Sequence, residues 1–182
     1  MSRLHIVDPS AATGKAKDLL HAVQIKMGRV PNMTKAMANS PAVLEGYLGF
    51  AAALGKGLLE PKIREQLALV TAQHNRCDYC LSAHTAIGKM VGLTEEQILA
   101  SREGKGASRV EAALTFATRV LDNKGAIRES DLAEVRAAGF SDGEIAEIIA
   151  HVALNVFTNY FNVATDVDID FPPVSHSELA VA

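Results

Sequence analysis

The sequence lacks any apolar run long enough to cross a membrane, and it contains no tryptophan and only two cysteines. Its most apolar stretch, residues 145–164, is broken by glutamate, histidine and asparagine, whereas a transmembrane helix needs about 18 or more apolar residues in succession. Aspartate and lysine interrupt residues 1–20, which therefore do not resemble a secretory signal peptide. These absences predict a cytoplasmic protein without a membrane partner, in a compartment where thiols are kept reduced.

The sequence also lacks a run of Lys or Arg, and its formal net charge is only −3. Because nucleic acids and anionic surfaces are bound by concentrated positive charge, no nucleic-acid partner is expected. Hydrophobic residues make up 48% of the 182 residues and charged residues 21%, which is apolar for a chain of this length. The surplus apolar surface predicts a homo-oligomer, because a subunit interface would cover it.

Apolar residues recur at helical spacing along nearly the whole chain, and no stretch alternates as a β-strand does. The pattern predicts an all-α fold with one domain over residues 1–170, whose core covers about residues 41–122. Residues 171–182 are predicted to form an extended or disordered tail. Predicted helices cover about residues 9–27, a short segment ending near 39, 41 to the 55–57 region, 61–74, the cysteine segment to 91, and 108–123. The helices before residue 41 form an N-terminal extension in this interpretation.

Two helix starts share one sequence pattern. Thr94 with Gln97, and Ser141 with Glu144, each follow a glycine and an apolar residue, which is typical of a capping box after a helix stop. The repetition suggests the hypothesis of an internally duplicated helical unit.

The most informative segment contains Cys77, Cys80 and His84. On a helix, positions i, i+3 and i+7 share a face, so both sulfurs and the imidazole are predicted to line one stripe. Asn75 and Arg76 mark the predicted helix start, which puts Cys77 in the first turn. The free backbone N–H groups there favour a thiolate, and His84 lies close enough to accept the proton of Cys80. The spacing therefore favours thiol redox chemistry.

Glu65 lies on the preceding predicted helix. If the chain turns at residues 75–76, that helix folds back and Glu65 can approach His84. A carboxylate beside an imidazole orients the ring and favours its protonated form, which would complete a proton relay. The alternative for Glu65 is a solvated charge.

Other roles for the two cysteines were weighed. Together with His74 and His84 they offer four zinc ligands, but a single helix cannot arrange four ligands tetrahedrally around one ion. Inert buried thiols are the remaining alternative. No metal and no cofactor are expected.

These residues together resemble the core of the alkylhydroperoxidase D-like (AhpD-like) proteins, within the carboxymuconolactone decarboxylase superfamily. The likeness depends on Glu65, on Cys77-x-x-Cys80 twelve residues later, and on His84 four residues beyond. It is greatest for the peroxidase-related branch, in which an N-x-C-x-Y-C-x-x-x-H form occurs, here residues 75–84. The helix layout extends the resemblance over most of the chain.

The resemblance implies a multi-helix AhpD-like fold and a thiol-dependent peroxidase or disulfide oxidoreductase. Its substrate would be a small hydroperoxide or disulfide, and an external dithiol would regenerate it. Cys80 would attack, Cys77 would resolve, and Glu65 and His84 would relay protons. By the same analogy, the homo-oligomer would be a dimer, trimer or hexamer.

The chain departs from the characterised hydroperoxidases at Tyr79, where they have a histidine. A phenol with a pKa of about 10 cannot replace imidazole as a base at neutral pH. Tyr79 is therefore expected to line the pocket or to donate a hydrogen bond there.

A second polar pattern lies on an otherwise apolar helix and consists of His151, Asn155, Asn159, Asn162 and Asp166. Buried amides must be hydrogen-bonded, so the stripe can be a packing or interface ladder. Alternatively, His151 and an asparagine such as Asn155 line the same pocket as Cys80. The sequence leaves both interpretations open.

Two other functions also stay open. One is a cofactor-free decarboxylase or isomerase of the carboxymuconolactone decarboxylase type, which would not need the cysteine pair. The other is a non-catalytic adaptor whose helices shift when the disulfide forms.

Overall fold

The computed structural model describes residues 1–181, and all the regular elements in this part of the chain are helical. The α-helices are α1 (Gly14–Met27), α2 (Asn32–Met37), α3 (Pro41–Leu54), α4 (Pro61–His74), α5 (Asp78–Met90), α6 (Glu95–Arg102), α7 (Ser108–Asp122), α8 (Glu129–Ala137) and α9 (Asp142–Thr165), and a 3₁₀ helix covers His176–Val181. This confirms the prediction of an all-α fold. No helix among the described residues is long and apolar enough to span a bilayer.

Local sequence signals set most of the helix starts. Pro41 and Pro61 occupy the first positions of α3 and α4, where a missing N–H costs nothing. Both predicted capping boxes are present: the hydroxyl of Thr94 accepts from the backbone of Gln97, and that of Ser141 accepts from the backbone of Glu144. The two capped helices differ in length, with eight residues in α6 and 24 in α9. The internal duplication stays a prediction.

The first helix begins later than the sequence suggests. Asp8 accepts hydrogen bonds from the backbone and hydroxyl of Ser10, and this local turn replaces the first helical turn. Helix α8, which the sequence analysis did not predict, follows a turn in which Lys124 and Gly125 have positive φ angles of 52° and 87°. Arg128 and Asp131 then close the start of α8 through hydrogen bonds between them.

Helix α4 is the centre of the fold, because it packs against α5, α6, α7 and α9. Its residues 66–72 are all buried, so it has no solvent face in this stretch. Leu67 and Val70 belong to the apolar cluster formed with α7 and α9, whereas Leu69 and Ala72 belong to the cluster formed with α5. Helix α4 thus fixes α5 and α9 relative to each other.

The C-terminal segment departs from the predicted extended or disordered tail. Its irregular part folds back along α5, where the backbone N of Val174 donates to Ser82 Oγ at 2.9 Å and that of His176 donates to Asp78 Oδ1 at 2.7 Å. Arg102 donates to the carbonyl of Ser175 at 2.7 Å. Side chains of α5 and α6 thus satisfy the backbone of this segment, which continues into the 3₁₀ helix. The last predicted tail residue, Ala182, lies outside the described residues.

Candidate active site

The two cysteines lie at the start of α5 and are joined in a disulfide. Cys77 is the N-cap residue, one position before the first turn in which the sequence placed it. Its sulfur accepts a hydrogen bond from the backbone N of Cys80 at 3.3 Å. Just before it, Arg76 adopts a left-handed φ of 54°, which reverses the chain. Cys77 and Cys80 are 1% and 3% exposed, so both sulfurs are removed from bulk water.

The reversal brings α4 alongside α5. Glu65 Oε2 lies 2.8 Å from His84 Nδ1, and both side chains are partly buried. Because a carboxylate only accepts hydrogen bonds, Nδ1 carries the hydrogen of this contact. The other ring nitrogen of His84 is then the one able to exchange a proton with a substrate.

A cavity of about 270 Å³ lies between α3, α4, α5 and α9. Cys80, Glu65 and His84 all line it. The rest of its wall is mainly apolar and includes Met33, Tyr47, Ala68, Ile87, Leu154 and Phe171. The sulfur and the carboxylate–imidazole pair therefore face one apolar space.

The polar stripe of α9 divides into two parts. His151, Asn155 and Asn162 line the cavity together with Cys80. Asn159 instead packs inside the fold, where its side-chain oxygen accepts from Asn75 Nδ2 at 2.9 Å. Asp166 is the left-handed C-cap of the helix, with a φ of 50°. The stripe thus contains both cavity-lining and packing residues.

His151 is neutral in this setting. Its side chain is almost fully buried, and burial first and the nearby Arg64 guanidinium second lower its pKa from the ordinary value. The carboxylates of Glu147 and Glu65 act in the opposite direction but do not cancel these effects. Within residues 1–181, its buried Nε2 has no hydrogen-bond partner.

Tyr79 connects the cavity wall to the C-terminal segment. Its hydroxyl donates to Asp170 Oδ1 at 2.8 Å and accepts from the backbone N of Met33 at 3.1 Å. Asp170 also binds Arg29, and the ring of Phe171 packs edge-on against Tyr79 at 5.8 Å. Burial raises the pKa of Tyr79 far above its usual value, so the phenol stays neutral. Since both of its hydrogen-bonding positions are occupied, Tyr79 orders the wall and does not act as a base.

Sequence analysis missed Asn162 as a contact of the cysteines and Asp170 as a partner of Tyr79. Asn162 Nδ2 lies 3.3 Å from Cys80 Sγ. Residue 162 was visible as a member of the polar stripe, but Asp170 is the last residue of the predicted domain and no pattern singled it out. His74, considered as a zinc ligand, pairs with Asp122 at 2.8 Å. In the described part of the chain, no group of three His, Cys, Asp or Glu side chains is arranged to hold a metal ion.

Comparison with known proteins supports the resemblance seen in the sequence. Residues 41–123 match the model of the carboxymuconolactone decarboxylase family. The fold is similar to that of an AhpD-core, peroxidase-related protein from Ralstonia eutropha JMP134, with a TM-score of 0.81, 25% identity, and coverage of 93% of this chain and 92% of that chain. The family match over residues 41–123 and this structural likeness support the AhpD-like carboxymuconolactone decarboxylase superfamily for this chain.

Two further solved structures are similar to this chain. A peroxidase-related protein from Silicibacter sp. TM1040 has a TM-score of 0.79 and 26% identity, with coverage of 95% of this chain and 92% of that chain. The debrominase Bmp8, solved with 2,3,4-tribromopyrrole, shares the fold at a TM-score of 0.75 and 19% identity, with coverage of 93% and 94%. A comparison with curated proteins finds no match to this sequence.

The contacts of Tyr79 predict a stabilising role in this AhpD-like fold. Tyr79→Phe removes the donor to Asp170 and the acceptor of the Met33 N–H, so the free energy of unfolding should fall by about 1–3 kcal/mol. Urea denaturation followed by circular dichroism measures this change. The control is Tyr160→Phe, measured at the same protein concentration, because Tyr160 is 62% exposed in the single chain. Equal stability of the two variants would contradict the role assigned to the Tyr79 hydroxyl.

The burial of neutral His151 predicts a pH-dependent stability. Because its pKa is lower in the fold than in the unfolded chain, the unfolded state takes up a proton more readily below about pH 6.5. The free energy of unfolding should therefore fall between about pH 7.5 and 5.5, and His151→Gln should make this fall smaller. Urea titrations at several pH values measure it. The control is His21→Gln on the exposed face of α1; an unchanged slope in His151→Gln would refute the prediction.

Proposed function

We propose that this protein is a thiol-dependent, peroxidase-like oxidoreductase in which Cys80 attacks the substrate and Cys77 resolves the product. The observation that carries the proposal is that Cys80 and the hydrogen-bonded pair of Glu65 and His84 line the same cavity. A buried sulfur beside a proton-transfer pair is the arrangement that nucleophilic thiol chemistry needs.

In the first step, the Cys80 thiolate attacks the terminal oxygen of a hydroperoxide. The S–O bond forms as the O–O bond breaks, and the alkoxide leaves with a proton supplied through His84. Cys80 becomes a sulfenic acid and the hydroperoxide becomes an alcohol. Glu65 holds the imidazole of His84 through Nδ1 and stabilises its charged form during the transfer.

In the second step, the thiolate of Cys77 attacks the sulfur of Cys80. The S–S bond forms, and the hydroxyl group leaves as water after protonation. The product is the Cys77–Cys80 disulfide that is present in the structure. An external dithiol then reduces this disulfide by thiol–disulfide exchange and is itself oxidised to a disulfide.

The cavity favours a compact, apolar substrate. Its wall is mainly hydrocarbon, and its volume of about 270 Å³ suits a small organic molecule better than a protein segment. We therefore propose a small organic hydroperoxide, or a small disulfide, as the substrate class.

A second candidate function, the redox-responsive adaptor, is favoured by one observation. Asp78 and Tyr79, the two residues between the cysteines, both bind the C-terminal segment, through His176 and Asp170 respectively. Reduction of the disulfide could alter both attachments. This candidate requires a change in the C-terminal segment on reduction, together with an absence of turnover.

Substitution of Cys80 tests the enzymatic proposal. Cys80→Ser should abolish hydroperoxide consumption in the presence of dithiothreitol, because the nucleophile is lost. His84→Gln should reduce the rate about a hundredfold or more, the usual contribution of a general acid. Substrate loss and alcohol formation are measured by chromatography, with His21→Gln as the matched control.

Each contrary result has a defined meaning. Turnover that survives Cys80→Ser would reject the thiol mechanism and favour acid–base chemistry of the decarboxylase or isomerase type. Absence of turnover in the parent protein with any small hydroperoxide or disulfide would favour the adaptor.

We also propose a homo-oligomer, in keeping with the apolar composition. Support comes from exposed apolar side chains along α9, namely Ile149, Phe157, Tyr160 and Val163. A face of this kind on a single chain is typical of a subunit interface.

Light scattering tests the homo-oligomer. The protein at micromolar concentration should have a mass of two, three or six chains, and Tyr160→Asp should shift it toward the monomer because it places a charge in the apolar face. The control is Ile25→Asp, since Ile25 is 73% exposed on a different helix, α1. A monomeric parent protein would overturn the proposal.

A further inference from the structure

Asn162 is the side chain that donates a hydrogen bond to the sulfur of Cys80. It projects from α9, is 3% exposed, and its Nδ2 lies 3.3 Å from Cys80 Sγ. The same nitrogen lies 3.2 Å from the sulfur of Met33, so its two hydrogens face two sulfur acceptors. The contact joins residues 82 positions apart, and it therefore depends on the packing of α9 against α5.

The chemistry of the neighbours fixes the orientation of this amide. A flipped amide would put its oxygen against both sulfurs, but the thioether of Met33 has no hydrogen to donate. In the orientation observed, the nitrogen meets both sulfurs and the buried oxygen has no partner among the described residues. A buried carbonyl oxygen without a partner is unfavourable. The fold therefore keeps the contact between the Asn162 nitrogen and Cys80 even though the side-chain oxygen of Asn162 is left without a hydrogen bond.

The helix start alone does not favour Cys80 as the attacking thiol. Cys77, as the N-cap residue, receives the backbone N–H of Cys80 at 3.3 Å, and a helix N-terminus stabilises a thiolate there. The hydrogen bond of His84 goes to Glu65, and within residues 1–181 no hydrogen bond joins His84 to either sulfur. Beyond its place on the cavity wall, Cys80 thus differs from Cys77 by the hydrogen bond that it receives from Asn162.

We propose that Asn162 is a catalytic hydrogen-bond donor that stabilises the Cys80 thiolate and thereby makes Cys80, rather than Cys77, the attacking sulfur. This inference rests on the proposed function, because only that function makes one sulfur the attacking one. The difference in thiolate stability between Cys80 and Cys77 can nevertheless be measured without a substrate. Hydrogen bonds to a charged acceptor in a buried site are among the stronger ones, so loss of this donor should be measurable.

The test measures each thiol separately, without a substrate. In a Cys77→Ser background, the thiolate absorbance of Cys80 is titrated against pH in the ultraviolet for the parent, Asn162→Ala and Asn162→Asp. Asn162→Ala should raise the midpoint of the Cys80 titration by about one pH unit. At pH values below the midpoint of the parent, the variant should therefore contain about tenfold less thiolate. Asn162→Asp keeps the shape but replaces the donor with a negative acceptor, and it should raise the midpoint further.

Two controls separate this effect from a general loss of packing. Asn159→Ala removes an equally buried amide from the same helix, one whose oxygen accepts from Asn75 and whose nitrogen does not contact a sulfur, and it should leave the Cys80 midpoint unchanged. In a Cys80→Ser background, Asn162→Ala should leave the Cys77 midpoint unchanged. Circular dichroism establishes whether each variant is folded. If Asn162→Ala is unfolded, the Cys80 midpoint of Asn162→Asp is the test of the inference.

The outcomes distinguish this inference from the function on which it rests. A Cys80 midpoint that is the same in the parent and the folded Asn162 variants would overturn the inference, and so would an equal shift of Cys77. A Cys80 midpoint that depends on Asn162, in a protein that consumes no hydroperoxide, would support the inference and reject the peroxidase proposal alone.

Discussion

The site depends on one reversal of the chain, between α4 and α5. Arg76 adopts a left-handed φ of 54°, and the backbone N of Cys77 donates to the carbonyl of Ala72 at 3.0 Å, which closes the end of α4. Because residues 66–72 of α4 are buried, the direction in which α5 leaves this helix is fixed by packing. The same turn therefore sets the N-terminus of α5 at the cysteines and brings Glu65 beside His84.

Three separate parts of the chain then meet around the cavity that Cys80 lines. Helices α4 and α5 supply the carboxylate and the imidazole, α9 supplies the amide of Asn162, and the C-terminal segment supplies Asp170 and Phe171 at Tyr79. Each is fixed by its own contacts, so no single element can move without changing the surroundings of the sulfur. Such positioning by rigid helices favours thiol chemistry, since a buried thiolate is stable only where donors already point at it.

The parts of the site that lie close together in sequence could be predicted, because they depend on helix geometry. Cys80 and His84 line one cavity, as their spacing predicts, whereas Cys77 lies at the N-cap of α5. The approach of Glu65 to His84 followed from a single turn. Long-range contacts could not be predicted in this way. Asn162 reaches Cys80 over 82 positions, and Asp170 reaches Tyr79 over 91, through packing that no local pattern encodes. The placement of Cys77 was wrong by one position because the left-handed turn at Arg76 delays the start of α5.

The two histidines of the cavity show how one apolar space can give similar side chains different chemistry. His84 has a carboxylate at 2.8 Å on Nδ1, which fixes its ring, and in the proposed mechanism its other ring nitrogen exchanges the proton. For His151, burial and the nearby Arg64 guanidinium both disfavour the charged form and lower its pKa. In the proposed mechanism, His84 rather than His151 therefore carries the proton to the leaving oxygen. His151 stays neutral, so it adds a polar group to the cavity wall without adding a charge that would compete for the Cys80 thiolate.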